Sequence, residues 1–190
     1  MTKLISALAL QIGGNINYNE LSGLTGFNHK ELLEALDILE KTFVLQKSTP
    51  FFKNKRLELV KAPKFFFIDN GFRNMALKNF LPSPSRTDLG ALNENFIAAE
   101  LVKKGHPIRY WRTKSKAEVD FIIEDQGEII PLEVKSNLHK ASVSKSLRSF
   151  IEKYTPSRGY ITYHQLYDDV KIDDITIKIV PHWYVRYLDM

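Results

Sequence analysis

Asp120, Glu133 and Lys135 are the residues whose types and spacing are best suited to chemistry. They lie in residues 117–135, which read AEVDFIIEDQGEIIPLEVK. Apolar and polar residues alternate on both sides of Gln126-Gly127, and this pattern predicts two strands joined by a tight turn. A two-residue loop there would place Asp120 directly opposite Glu133, with Cβ atoms about 4.5–5.5 Å apart. Two carboxylates so close repel unless a cation or a shared proton lies between them.

A divalent cation is the chemical solution that this pair of carboxylates suggests. Mg²⁺ and Mn²⁺ bind carboxylate oxygens and keep several waters, and they polarise phosphoryl oxygens and acidify bound water. Lys135 projects from the same strand face as Glu133 and would orient or deprotonate that water. Glu94, on a predicted helix, would add a ligand or hold a metal-bound water. We therefore predict metal ligands at Glu94, Asp120 and Glu133, and a catalytic set of these three with Lys135.

A plainer interpretation of the hairpin stays open at this point. Charged residues on an outward strand face are commonly a solvated surface. Glu118 lies opposite Lys135 in the same register, and the two would then form an ordinary cross-strand ion pair. A register shifted by one residue would also remove the pairing of the carboxylates. In either interpretation the alternate face, with Val119, Phe121 and Ile123, is expected to be core.

Helices and strands on both sides must position these residues. Asp88 is expected to cap a helix over 89–104, which Gly105 ends. On that helix Glu94 lies on one face with small residues, which would let a sheet approach closely. A strand is predicted over 108–112, and a helix over 143–154 follows the hairpin. A mixed α/β unit is therefore expected to surround the charged residues.

The first part of the chain has the pattern of a winged helix-turn-helix. Three short apolar helices end near residues 12, 26 and 41, and candidate strands over 43–48 and 56–60 follow. We place this unit at 1–62. The third helix, which would read DNA, carries more acidic than basic side chains, so phosphates should repel it. The basic loop between the two strands is the better candidate for backbone contact.

Composition restricts the compartment and the partners. The chain of 190 residues has no cysteine, which excludes disulfides and thiolate metal sites. No apolar run approaches membrane-spanning length, and no signal peptide is evident, so a cytoplasmic protein without a membrane partner is expected. The net charge is +5, and its excess falls within residues 47–64, which suggests an anionic partner such as DNA. The candidate nucleic-acid contacts are Lys53, Lys55, Arg56, Arg112, Lys114 and Lys116.

Several stretches in a fixed order resemble one family arrangement. They are ALALQIGGNINYNELSGLTG, LDILEKTFVLQ, KFFFIDNGFRN, DLGALNENFIAAEL, YWRTKSKAEVDFII and PLEVK. The hairpin resembles the PD-(D/E)XK nuclease superfamily, although its first motif is Val119-Asp120 rather than Pro-Asp. The whole set, from about Leu4 to Leu147, resembles the C-terminal half of prokaryotic AAA ATPases, which carry a winged helix followed by a nuclease-like domain of unknown function.

This resemblance implies a fold and a set of functional residues. The fold would be an N-terminal winged helix-turn-helix followed by a restriction-endonuclease-like mixed-sheet α/β domain over 63–190. By position, Glu94, Asp120, Glu133 and Lys135 match the active-site pattern of the superfamily. The sequence has no G-x-x-x-x-G-K-[ST] motif, so ATP hydrolysis is not expected within these residues. The chain is expected to be a fragment of a longer ATPase or a stand-alone relic of one.

Two functions therefore stay open from the sequence. The first is metal-dependent hydrolysis of DNA with Mg²⁺ or Mn²⁺. The second is a catalytically silent module that docks nucleic acid or protein for the ATPase. DNA and an ATPase module are the expected partners, and self-association into a homo-oligomer stays open.

Overall fold

The structure is a computed structural model that describes residues 1–52, 62–138, 140–165 and 167–188. Its α-helices are α1 (Thr2–Leu10), α2 (Tyr18–Thr25), α3 (His29–Lys41), α4 (Asn70–Leu77), α5 (Leu89–Lys103) and α6 (Lys145–Tyr154). Short 3-10 helices cover Ser83–Ser85 and His182–Tyr187. Within the described ranges, no helix has both the length and the apolar character needed to cross a bilayer.

The strands form one eight-stranded mixed sheet in the order β2-β1-β3-β4-β5-β6-β8-β7. Their bounds are β1 (Leu45–Pro50), β2 (Lys64–Phe67), β3 (Arg109–Arg112), β4 (Glu118–Asp125), β5 (Glu128–Val134), β6 (Arg158–Tyr163), β7 (Asp168–Ile172) and β8 (Ile175–Pro181). The pairs β1–β3, β5–β6 and β6–β8 are parallel, and the other neighbours are antiparallel. The predicted α/β class, with N-terminal helices followed by a mixed sheet, is confirmed.

The N-terminal helices form where the capping signals predict. Asn28 caps α3 with a complete capping box: its side chain accepts from the backbone N–H of Glu31, and the Glu31 carboxylate accepts from the backbone N–H of Asn28. The apolar stripe of α3 is buried at Leu32, Leu36 and Leu39. The predicted strand over 56–60 lies outside the described residues, so the wing, and with it the winged-helix assignment, stays a prediction.

The first sheet strands connect the N-terminal helices with the rest of the chain. β1 lies between β2 and β3 and pairs with both. The backbone N–H of Gly13 donates to the carbonyl of Phe65, and that of Ile16 donates to Pro63. The sheet thus includes strands from both sides of residue 62, and the proposed division of the chain at that residue stays a prediction.

Both faces of the central hairpin are buried. Phe121 and Ile123 belong to a core cluster with residues from α1, α2, α3 and α5. Ile122 belongs to a second cluster that packs against Phe150 of α6. The expectation of a single core face is therefore wrong, because α6 covers the side that the sequence pattern left open to solvent.

Candidate functional site

The hairpin register is confirmed over most of its length and then changes at the predicted site. β4 and β5 pair from Asp125 opposite Glu128 to Phe121 opposite Leu132, as the two-residue loop predicts. The paired ladder ends there and does not include Asp120 with Glu133, so their direct opposition stays a prediction. Beyond the ladder, the backbone N–H of Val134 donates to Asp120 Oδ2 over 2.7 Å.

A β-bulge in β4 explains this change. On the other side of β4, Trp111 pairs with Val119 and Arg109 pairs with Ile122. Asp120 and Phe121 are thus two residues opposite the single Tyr110. A bulge bends the strand and redirects its side chains. Val119 accordingly joins the same core cluster as Ile122, and its predicted grouping with Phe121 and Ile123 is wrong.

Glu133 is held at the end of β5 by two donors. Its carboxylate is buried, with only 4% of the residue exposed. Oε1 accepts from Lys135 Nζ over 2.7 Å and from Ser144 Oγ over 2.8 Å. Ser144 is also the N-cap of α6, where its Oγ accepts from the backbone N–H of Leu147. Oε2 is buried and has no hydrogen-bond partner among the described residues.

A second group of charges surrounds Lys64, which lies within the basic stretch 47–64 that the sequence assigns to an anionic partner. Only 3% of Lys64 is exposed, so its assignment to a basic surface is wrong. Nζ lies 2.5 Å from Glu118 Oε1 and 3.4 Å from Glu94 Oε1. Arg112 Nε lies 3.4 Å from the other oxygen of Glu118. Glu118 therefore pairs with Lys64 and Arg112, and the expected ion pair with Lys135 does not form.

The electrostatics of these groups show carboxylates that are incompletely neutralised. Burial raises the pKa of Glu94 from its ordinary value of 4.5 to about 7, although Lys64 opposes this and Asp120 adds to it. Burial likewise raises the pKa of Asp120 from 3.8 to about 6, against the Val134 hydrogen bond and Lys64, and with a further rise from Glu133. The Asp120 charge thus acts on the Glu94 carboxyl, and the Glu133 charge acts on the Asp120 carboxyl.

The donor chemistry at Asp120 and Glu133 fits a divalent cation of the Mg²⁺ type. Such a cation prefers carboxylate oxygens, and Glu133 Oε2 is a buried oxygen without a donor among the described residues. In the described ranges, no three His, Asp or Glu side chains come together as a ligand group. One or two carboxylates nevertheless suffice for Mg²⁺ when water and substrate phosphates complete the shell. The role of Glu94 as a third ligand stays a prediction.

The predicted nucleic-acid contacts are only partly described. Lys53, Lys55 and Arg56 lie outside the described residues. Lys114 and Lys116 are exposed in the connection between β3 and β4. Arg112 and Lys114 line a cavity of about 560 Å³, together with Lys153 and Tyr110. Trp111, in the same strand, is 2% exposed and packs on Phe150, so it is a core residue.

Three residues at the site were not predicted. Lys64 comes from β2, far away in sequence, and the one available signal was a cation beside three phenylalanines. Ser144 could have been found as a helix cap, but its bond to Glu133 depends on tertiary structure. Gly13 has a φ of +69°, and a Cβ there would lie 3.0–3.1 Å from the Glu94 carboxylate. The loop before α2 therefore packs against the site and requires glycine.

Comparisons with known proteins match this chain to uncharacterized families. The family described as Domain of unknown function (DUF4143) matches residues 89–184, and another, Domain of unknown function (DUF8612), matches residues 1–83. DUF4143 is found at the C-termini of AAA ATPase-like proteins. Two similar relatives are the uncharacterized proteins Rv2008c of Mycobacterium tuberculosis and Mb2031c of Mycobacterium bovis. Each is 30% identical over 132 residues, or 67% of this chain. The chain spans 30% of the length of these relatives.

Proposed function

We propose, from the premise that this chain belongs to the DUF4143 family, that it is the C-terminal part of an AAA-type ATPase whose α/β domain binds DNA. We further propose that this domain hydrolyses phosphodiester bonds with Mg²⁺ or Mn²⁺. One observation carries the proposal. The backbone N–H next to Glu133, that of Val134, donates to Asp120 Oδ2, the Glu133 charge helps to raise the pKa of Asp120, and one buried oxygen of Glu133 has no donor among the described residues.

In this proposal each residue of the hairpin end has a defined role. Asp120 and Glu133 hold the cation, and Val134 fixes Asp120 through its backbone N–H. Ser144 and Lys135 fix the orientation of the Glu133 carboxylate. A bound divalent cation supplies charge stabilisation at a phosphoryl oxygen and acidifies water. The Lys135 ammonium can also donate to a phosphate oxygen or hold a water in line with it.

The charged surface beside the hairpin supports DNA as the substrate. Lys114 and Lys116 lie in the loop that leads directly into β4, and Lys153 faces the same cavity as Lys114. Cations so placed would neutralise backbone phosphates and position the strand without reading its sequence. A substrate with several phosphates in a row fits this arrangement better than a single small anion.

A nicking assay tests the proposal. Supercoiled and branched DNA are incubated with the protein and Mg²⁺ or Mn²⁺, and nicks are expected. Asp120→Ala and Glu133→Ala should each abolish them, whereas Glu124→Ala, which removes an exposed carboxylate of the same hairpin, should leave them unchanged. Nicking that survives in both site variants would contradict the proposal.

A second candidate function is supported by the position of Lys64. Its ammonium already neutralises part of the acidic group, and no three-carboxylate ligand group forms in the described ranges. The chain would then be a catalytically silent module that docks nucleic acid or protein for the ATPase. If this module docks nucleic acid, its DNA binding should be salt-sensitive and independent of metal. That binding should be lost when Lys53, Lys55 and Arg56 are neutralised. Unchanged affinity in that triple variant would count against nucleic-acid docking.

A further inference from the structure

We propose that the Lys64 ammonium occupies a second cation position, formed by Glu94 and Glu118, so that the site takes one divalent cation per chain rather than two. The first cation is the one held by Asp120 and Glu133, and in this respect the inference rests on the proposed function. The assignment of Lys64 itself rests on contacts within the chain and is independent of the reaction.

The contacts of Lys64 are those of a bound cation rather than of a surface side chain. Nζ lies 2.5 Å from Glu118 and 3.4 Å from Glu94. It also lies 5.2 Å from the centre of the Tyr110 ring, which is a favourable distance for a cation over an aromatic face. Among the described residues, Lys64 is the cation within ion-pair distance of Glu94. A buried ammonium is tolerated only when it is paired in this way.

The backbone around Lys64 places its ammonium at the site. Lys64 begins β2 and pairs with Ser48 of β1, and it also forms a bridge with Asn15. The neighbouring loop packs directly on the Glu94 carboxylate at Gly13. Because backbone contacts hold Lys64 from both sides, its side chain projects into the acidic group as a constant part of the site. It is therefore a resident charge and not a mobile surface lysine.

Lys64 and a second divalent cation exclude one another. Mg²⁺ needs carboxylate oxygens at about 2.0–2.1 Å, and the Glu118 oxygen that faces the site is already in contact with Nζ. A divalent charge beside the buried ammonium would also be repelled strongly at low effective dielectric constant. Conversely, removing the ammonium while keeping Glu94 and Glu118 leaves two facing carboxylates without their cation. A second binding position should then appear.

Calorimetric titration of the full chain with Mn²⁺ alone tests this inference. We expect one Mn²⁺ per chain for the wild type and two for Lys64→Met, which keeps an unbranched side chain, one atom shorter, and removes its charge. Lys64→Arg, which keeps the charge, should bind one. The matched control is Lys103→Met, because Lys103 pairs with another carboxylate of α5, Glu100. This control should also bind one.

The possible results separate this inference from the proposed function. Two Mn²⁺ per chain in the wild type would overturn the inference, whatever the variants do. One Mn²⁺ in both the wild type and Lys64→Met would overturn it and leave the proposed cation site intact. No Mn²⁺ in the wild type and one in Lys64→Met would uphold the role of Lys64 and contradict the proposed catalytic cation.

A second measurement covers the case in which Lys64→Met is unstable. The melting temperature of each variant is measured with and without Mn²⁺. Because a ligand that binds only the folded state raises the melting temperature, Mn²⁺ should stabilise Lys64→Met more than it stabilises the wild type. The added stabilisation should disappear in Lys64→Met/Glu94→Gln, which lacks one of the two carboxylates. An equal shift in all three proteins would overturn the inference.

Discussion

Two partly buried groups of charges lie along the same helix and differ in their charge balance. Asp88, the N-cap residue of α5, accepts from both Arg73 and Arg86. The hydrogen bond from Arg86 is the main reason why the pKa of Asp88 falls from 3.8 to about 2, with a further contribution from Arg73. Glu94, farther along α5, meets Lys64 alone among the described cations, and burial raises its pKa to about 7.

This contrast distinguishes an ionic group that stabilises the fold from one that is suited to function. Two guanidinium groups more than satisfy Asp88, and Arg73 also donates to the carbonyl of Ala9, so the group ties α1, α4 and α5 together. Around Lys64 the carboxylates remain in excess, and their mutual repulsion is an energetic cost. Such a cost is a common sign of a site that receives a proton, a cation or a substrate.

The largest expected effect on stability is in the Asp88 group. Arg73→Met should lower the free energy of unfolding by about 3–5 kcal/mol, because it removes a buried guanidinium that donates both to the Asp88 carboxylate and to the Ala9 carbonyl of α1, and leaves that carbonyl without its donor. Urea denaturation measures this loss. Binding of Mn²⁺ to the folded variant should be unchanged. A loss below about 1 kcal/mol would show that this group is not the structural one.

The Glu94 group should make stability depend on pH between about 4 and 7. The folded-state pKa values of Glu94 and Asp120 are raised to about 7 and 6. The folded protein thus retains protons that the unfolded chain releases. The resulting stability is complete below about pH 4 and is lost as the pH rises through 6 and 7. Urea denaturation in the presence of a chelator should show a decrease of about 2–4 kcal/mol from pH 5 to pH 8.

Two single substitutions distinguish the Glu94 group from the Asp88 group, because the two carboxylates make stability change with pH in opposite directions. Glu94→Gln should remove much of the slope between pH 5 and 8 and raise stability at pH 8 by about 1–2 kcal/mol. Asp88 has a lowered pKa, so its contribution is present above pH 4 and is lost as the pH falls towards 2. Asp88→Asn should therefore flatten only the acidic limb. Identical pH profiles for the two variants would contradict the distinction between the two groups.

The smallest effect is expected for an exposed ion pair outside both groups. Lys41 and Asp37 form an i,i+4 pair on α3, 2.7 Å apart, and both side chains are largely exposed. Asp37→Ala should change the free energy of unfolding by about 0.5 kcal/mol or less, because solvent screens the pair. Urea denaturation of Asp37→Ala and Arg73→Met under the same conditions compares the two losses of unfolding free energy. Equal losses would contradict the claim that burial makes the Asp88 group more important for stability than an exposed ion pair.

The sequence predicted the local parts of the site well. The turn at Gln126-Gly127 and the alternation around it were sufficient for the register from Asp125 to Phe121, because both depend on neighbouring residues. The end of the hairpin was not predictable in the same way. The extra residue in β4 is accommodated opposite Tyr110 of another strand, and nothing in the alternation marks it.

The parts that depend on distant segments were the ones missed. Lys64 reaches Glu94 because β2 joins the sheet beside β1, and β1 joins it beside β3. Charge counting had placed this lysine on a basic surface, since composition does not show which cations are buried. Ser144 was missed for the same reason, because α6 must pack across β5 before its cap can contact Glu133.

The most direct test of the cation site is a calorimetric Mn²⁺ titration at pH 8 of three proteins: the wild type, Glu133→Gln and Asp88→Asn. We expect saturable binding of one Mn²⁺ per chain in the wild type and in Asp88→Asn, and none in Glu133→Gln. This result would assign the cation to the hairpin end rather than to the Asp88 group. Absence of binding in the wild type, or equal binding in Glu133→Gln, would contradict the proposed site.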